Sequence, residues 1–162
     1  MLKSLMDKYG STEFGFMIQD IFAICVSKSG GIVKEYHSSG RYDILAEIDG
    51  INYIFEVKAR DYVDLCSIVK SLRYKSENKR LAVLDRSFPA RFVIANIDHE
   101  KVNSICIENC PVQALVIIED RTLTMRINEV LPTAVKIYHD LLRDLILPRT
   151  VHDKLTESKF NV

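Results

Sequence analysis

Hydrophobic residues recur with helical spacing in three long stretches of the chain, and shorter apolar runs lie between them. The first helical stretch extends from Ser11 to about Ser27, where positions 14, 17, 18, 21, 22, 24 and 25 are apolar. Further helices are predicted at 61–75, at 98–106 and, after Pro132, at 133–146. The runs typical of strands are 31–36, a hairpin within 42–60, 91–97 and 114–119, whereas 81–85 does not decide between helix and strand.

Strands and helices alternate in the second half of this pattern. Parallel or mixed strand pairing follows, so we expect an α/β fold in which a central mixed β-sheet is flanked by helices. The length of the chain predicts a single domain over 1–147, followed by a polar tail at 148–162.

Composition excludes several classes of protein. The net charge is zero, from 22 basic and 22 acidic residues, so no global field indicates a polyanionic partner. The four cysteines lack disulfide or zinc-site spacing, and no apolar run approaches the length of a membrane span. We therefore expect a soluble cytoplasmic protein with no membrane partner. No nucleotide cofactor is expected, because no glycine-rich phosphate loop is present.

The dipeptide Asp49-Gly50 is the strongest local signal in the predicted hairpin. A type I′ turn requires positive φ at both central residues, and Asp-Gly adopts this conformation easily. With these two residues as the whole loop, Ile48 pairs with Ile51, and the same register brings Asp43 opposite Glu56. Alternation along the strand adds Lys58 to that face. The hairpin therefore predicts a cluster of two carboxylates and one ammonium group.

Two opposed carboxylates repel each other in a largely apolar hairpin, and a divalent cation would relieve that repulsion. Mg²⁺ takes oxygen ligands, so Asp43 and Glu56 are candidate ligands. Lys58 lies where it could orient or polarise a metal-bound water. The alternative is an ordinary ion pair of Glu56 with Lys58 on a solvated sheet face, with Asp43 capping a strand.

The pairing of "YD", Tyr42-Asp43, with "EVK", Glu56-Val57-Lys58, resembles the PD-(D/E)XK nuclease superfamily, most closely the archaeal Holliday-junction resolvases. The resemblance extends over about 14–97, with Tyr42 where the motif often has proline. It implies a restriction-endonuclease-like fold and hydrolysis of DNA phosphodiester bonds with Mg²⁺, or Mn²⁺ as a substitute. It also implies that Asp43, Glu56 and the Val57 carbonyl hold the metal, and that Lys58 serves the nucleophilic water.

The family often supplies a further carboxylate from its first helix, and here the chain departs from the pattern. Gln19 occupies that position, where it could hydrogen-bond a metal-bound water, so it joins the catalytic candidates. The nearest acids are Glu13, in the first turn, and Asp20, which we expect on a solvated face. The sequence does not decide among these three. An alternative function is therefore a nuclease-fold DNA-binding or scaffold protein without catalysis.

Candidate DNA contacts lie on both sides of the cluster. In the basic run at 70–80, Lys70, Arg73 and Lys75 could neutralise phosphates, although a solvated helix face explains them equally well. Ser39 and Arg41, in the loop before the hairpin, are further candidates. One site per chain implies that two copies are needed to cut both strands, so a homodimer is expected.

Overall fold

A computed structural model of the protein describes residues 1–36, 42–59, 78–85, 90–96 and 118–143. These ranges contain two helices and five strands, namely α1 (Leu2–Lys28), β1 (Ile32–Tyr36), β2 (Ile44–Ile48), β3 (Ile51–Lys58), β4 (Lys79–Asp85), β5 (Arg91–Asn96) and α2 (Arg121–Leu142). The predicted α/β class is confirmed, and the undecided run at 81–85 is strand. The predicted helices at 61–75 and 98–106, most of the predicted strand at 114–119 and the tail lie outside the described residues.

Helix α1 is longer than predicted because helical residues also precede Gly10. That glycine has a φ of 81° and a ψ of 169°, which kinks the helix, and glycine adopts positive φ without the usual steric cost. The predicted start at Ser11 is where the helix resumes after the kink. Every residue from Met17 to Val26 is buried, so this part of α1 lies inside the molecule rather than on its surface.

The five strands form one open sheet in the order β1-β2-β3-β4-β5. Only β3 and β4 pair in parallel, and the other neighbours are antiparallel. This confirms the predicted mixed sheet. The β2-β3 register runs from Ile48 opposite Ile51 to Ile44 opposite Phe55, as the sequence predicts. The turn residues have positive φ, 53° for Asp49 and 76° for Gly50, as a type I′ turn requires.

The prediction that the last helix begins after Pro132 is wrong. Helix α2 begins at Arg121, where the carboxylate of Asp120 caps it by accepting from the backbone N–H of Leu123 at 3.2 Å. Pro132 lies exposed inside the helix, although a proline there removes a helical hydrogen bond and costs about 3 kcal/mol. A stripe of buried side chains that continues on both sides of the proline offsets this cost: Leu123, Thr124, Ile127, Leu131, Ala134, Val135, Tyr138 and Leu142.

Side chains of α2 form hydrogen bonds with backbone groups at the outer edge of β5. Asn128 accepts from the backbone N–H of Phe92 and donates to its carbonyl, both at 2.7 Å. Thr124 accepts from the backbone N–H of Ile94 at 3.0 Å. Next to them, an isolated antiparallel bridge joins Ala95 to Glu119, so side chains of α2 and the segment before it together cover this edge of β5.

The two helices pack against each other and against one face of the sheet. Phe22 of α1 meets Phe55 and Phe92 edge to face, with ring centroids 5.0 and 5.1 Å apart. Because side chains alternate along a strand, Glu56 and Lys58 project from the face of β3 opposite to Phe55. Neither described helix is long and apolar enough to cross a membrane.

Candidate active site

Asp43 lies immediately before β2 and is held by β3. Its backbone N–H donates to the carbonyl of Phe55 at 3.1 Å, and its Oδ2 accepts from the backbone N–H of Val57 at 2.7 Å. The carboxylate thus takes the place of a main-chain acceptor at the point where the regular ladder between β2 and β3 ends. This contact fixes Asp43 to the strand that carries Glu56.

Glu56 is a buried carboxylate, only 5% exposed. Its Oε1 is 3.0 Å from Nζ of Lys58, whose side chain is 35% exposed. Its Oε2 is also buried and has no hydrogen-bond partner within the described residues. A buried acceptor without a partner typically costs about 1–3 kcal/mol, and more when it is charged. The ion pair of Glu56 with Lys58 that the alternative predicts is present, but Glu56 is buried and does not lie on a solvated face.

The two carboxylates repel each other. Burial, and next the charge of Glu56, raise the pKa of Asp43 from 3.8 to about 7, while the Val57 N–H and the Lys58 ammonium oppose the rise. In the metal-free protein near neutral pH, Asp43 is thus divided between its protonated and ionised forms. The predicted assembly of Asp43, Glu56 and Lys58 into one cluster is present in the structure.

A cleft of about 340 Å³ opens beside this cluster, between α1 and the end of β3. Asp43 and Lys58 contribute to one wall, and the other wall is a length of α1 on both sides of the Gly10 kink. The lining residues are Met6, Ser11, Thr12, Phe14, Gly15, Phe16, Gln19, Asp43, Val57, Lys58 and Ala59. Asp43 and Lys58 therefore face a space that a ligand can enter.

The three candidates on the first helix lie in different environments. Gln19 is buried and lines the cleft, as expected for a residue beside the cluster. The expectation that Asp20 is solvated is wrong, because it is 1% exposed and accepts hydrogen bonds from the hydroxyls of Tyr36 and Tyr138, both at 2.9 Å. Glu13 is half-buried and is not part of the cleft wall. Of the three, only the neutral side chain lines the cleft.

The candidate DNA contacts Ser39, Arg41, Lys70, Arg73 and Lys75 lie outside the described residues. Two cations of the same basic run are described, and both belong to β4. Lys79 is 7% exposed, so burial argues against a phosphate contact. Arg80 is 3.0 Å from the carboxylate of Asp120 and lies over the ring of Tyr53. Its charge is already engaged by these internal contacts.

The chemistry of the cluster fits a small hard cation. Mg²⁺ is usually held by one or two protein carboxylates, with waters and substrate phosphates completing its shell. Asp43 and Glu56 supply two carboxylates, and the unpartnered Oε2 of Glu56 is an acceptor that a cation would satisfy. Within the described ranges, no three His, Cys, Asp or Glu side chains converge, so a larger all-protein metal cage is not formed there.

Two features of the site were not predicted from the sequence. One is the α1 wall of the cleft, for which an isolated glycine inside a helical pattern, Gly15, was the only signal. The other is the contact of Asp20 with Tyr138, which links residues far apart in the chain and has no local signature.

No protein-family model matches this chain, and no curated protein and no solved structure is detectably similar to it. A functional interpretation therefore depends on the geometry and chemistry of the cluster and the cleft.

Proposed function

We propose that the protein is a metal-dependent endonuclease with a restriction-endonuclease-like fold that hydrolyses DNA phosphodiester bonds. The observation that carries this proposal is the buried cluster at the cleft. Within the described residues, one carboxylate oxygen of Glu56 has no hydrogen-bond partner, and burial together with the charge of Glu56 raises the pKa of Asp43 to about 7. Such an arrangement opposes folding unless a cation binds it, which is typical of a functional site rather than a structural one.

Each residue of the cluster has a distinct part in the proposed reaction. Asp43 and Glu56 would hold the metal together with the carbonyl of Val57. A bound Mg²⁺ lowers the pKa of a coordinated water and offsets the charge that develops on the phosphate. Lys58 keeps its ammonium group in place through Oε1 of Glu56 and remains partly exposed to the cleft, where it can orient the attacking water. Gln19 offers an amide for a further hydrogen bond at the same cleft.

A second candidate is a nuclease-fold protein that binds DNA without cutting it. The neutral Gln19 favours this reading, because it lines the cleft where the related nucleases often have an acid. One carboxylate fewer weakens metal binding but leaves two carboxylate ligands. The two candidates differ in whether cleavage accompanies binding.

Metal binding is tested by thermal unfolding with and without Mg²⁺ or Mn²⁺. At ten times Kd, binding should stabilise the protein by about 1.4 kcal/mol, or roughly 3–6 °C in a chain of this size. Asp43→Ala and Glu56→Gln should lose this shift. Glu47→Gln is the matched control, because it makes the same change at another ion-paired glutamate, 2.5 Å from Lys34. Equal melting temperatures with and without metal would argue against the site.

Cleavage is tested with plasmid, branched and single-stranded DNA in Mn²⁺. Loss of Lys58 by substitution with methionine should slow cleavage by about 100-fold or more, in the range of general acid–base and water-orienting groups, while the metal-induced stabilisation persists. Metal binding without any cleavage would favour the binding protein instead. Cutting of both strands would require two copies, so the homodimer remains a prediction that analytical ultracentrifugation can test.

A further inference from the structure

We propose that the cleft is a nucleoside subsite that receives one unpaired nucleotide of the substrate, so that the protein prefers single-stranded to fully paired DNA. The inference rests on the proposed nuclease function, because the cluster would then hold the phosphate next to that nucleotide. It adds a substrate class that the cluster alone does not indicate.

The cleft follows two adjacent stripes of α1. Residues four apart lie on one side of a helix, so Ser11, Gly15 and Gln19 form one stripe, and Thr12 and Phe16 form its neighbour. Together they carry hydroxyl, amide and aromatic groups. The opposite wall contributes Asp43 and Lys58. The lining is therefore mixed in character, and its charged groups, Asp43 and Lys58, belong to the wall opposite α1.

Gly15 keeps this space open. It lies inside a helix, where glycine is the poorest residue after proline, and its φ is not in the positive region. A Cβ built at this position meets no atom of the described residues within 4 Å. Neither backbone conformation nor close packing against these residues requires the missing side chain. An unfavourable residue that opens a cleft beside a charged cluster is understandable if the space is used.

The size and lining suit one nucleoside. A volume of about 340 Å³ lies at the small end of ligand sites, which range over roughly 300–1,000 Å³. A base has apolar faces and polar edges, and the cleft offers the ring of Phe16 together with the hydroxyls of Ser11 and Thr12. Lys58, in the wall opposite α1, is placed for the adjoining phosphate.

A base within a duplex cannot enter such a cleft. Its faces are covered by stacking and its edge by its partner, so entry requires unpairing, which costs a few kcal/mol in a duplex and nothing at a single strand. The preference for an unpaired nucleotide follows from this difference. Flaps, gaps and strand ends would satisfy it as well as free single strands.

The experiment measures binding by fluorescence anisotropy in Ca²⁺, with a labelled thymidine oligomer of about twelve nucleotides, within the usual site sizes of single-strand binding. The second probe is a hairpin duplex with the same number of phosphates. Gly15→Phe should weaken oligomer binding about 5- to 150-fold, the loss expected for one stacked base. Thr133→Phe is the matched control and should bind within about twofold of wild type, because it places the same ring at an exposed position of α2 that does not line the cleft. Thr12→Phe, at an exposed position on the same wall, replaces Gly15→Phe if that variant melts far below wild type.

The outcomes separate the subsite from the nuclease. Tighter binding of the oligomer than of the duplex, lost on filling the cleft and kept in Thr133→Phe, supports the subsite. Equal binding of both probes, or unchanged binding when the cleft is filled, overturns it even if wild type cleaves DNA with Mn²⁺. Absence of metal-dependent cleavage overturns the nuclease, and the binding titrations still decide the subsite.

Discussion

Replacement of Asp43 by asparagine should stabilise the metal-free protein above neutral pH, although it removes a residue of the proposed active site. The variant keeps a side-chain oxygen that can accept from the backbone N–H of Val57, a bond of 2.7 Å in the wild type. It loses the negative charge that burial and Glu56 make unfavourable. The substitution therefore isolates the charge conflict from the hydrogen bond.

The pH dependence follows from the raised pKa of Asp43. The group titrates at about 7 in the folded protein and at 3.8 in the unfolded chain. Between these values the folded state keeps a proton that the unfolded state has released, so stability falls as pH rises and is lowest above pH 7. The full difference corresponds to about 4 kcal/mol. The folded-state pKa already includes the bond that the charged form accepts from Val57, so Asp43→Asn, a neutral acceptor, should exceed wild type by about 4 kcal/mol at pH 8.

Urea denaturation in EDTA at pH 5, 6, 7 and 8 gives the free energy of unfolding of wild type and variant. The effect is the difference between these two free energies, because titrating groups that do not interact with residue 43 contribute equally to both. The difference should grow by about 2–3 kcal/mol from pH 5 to pH 8. Asp43→Ala is the control for the hydrogen bond and should be about 1–3 kcal/mol less stable than Asp43→Asn at every pH. A difference that stays constant from pH 5 to pH 8 would refute the charge conflict. Added Mn²⁺ should stabilise wild type and leave the asparagine variant unchanged.

Three further substitutions test the packing that positions the site, each by urea denaturation. Tyr138→Phe leaves buried Asp20 with one donor fewer and should cost about 1–3 kcal/mol, whereas retention of full stability would show that this bond contributes nothing. Asn128→Ala leaves the backbone N–H and carbonyl of Phe92 without their side-chain partner and should lower stability by a similar amount. Asn128→Asp keeps only the acceptor, so its stability should lie between those of wild type and Asn128→Ala. Pro132→Ala restores a helical N–H at an exposed position and should stabilise the protein by about 1–3 kcal/mol, and an unchanged midpoint would mean that α2 has already adjusted to the proline.

The hairpin and its cluster could be predicted because local chemistry determines them. A two-residue turn with positive φ at Asp49 and Gly50 fixes the register, and the register fixes which side chains meet. The start of α2 could not be predicted from local sequence in the same way. Proline is a local signal for a helix boundary, but the buried stripe from Leu123 onward is a tertiary effect that overrides it. The cleft likewise depends on how α1 lies against β3, which no spacing within α1 specifies.

The positions of Gln19 and Asp20 have a structural cause in the packing of α1. Gln19 and Asp20 are adjacent, so their side chains point about 100° apart around the helix. Asp20 is held by hydroxyls from two other elements, Tyr36 of β1 and Tyr138 of α2. With α1 held in this rotation, the carboxylate lies among the tyrosines and the amide lines the cleft. Rotation of α1 to bring the acid into the cleft would break these two hydrogen bonds, one of them buried and the other partly buried. The packing of α1 thus brings Gln19 and not Asp20 to the cleft, and among the described residues the carboxylates beside the cleft are those of the hairpin, Asp43 and Glu56.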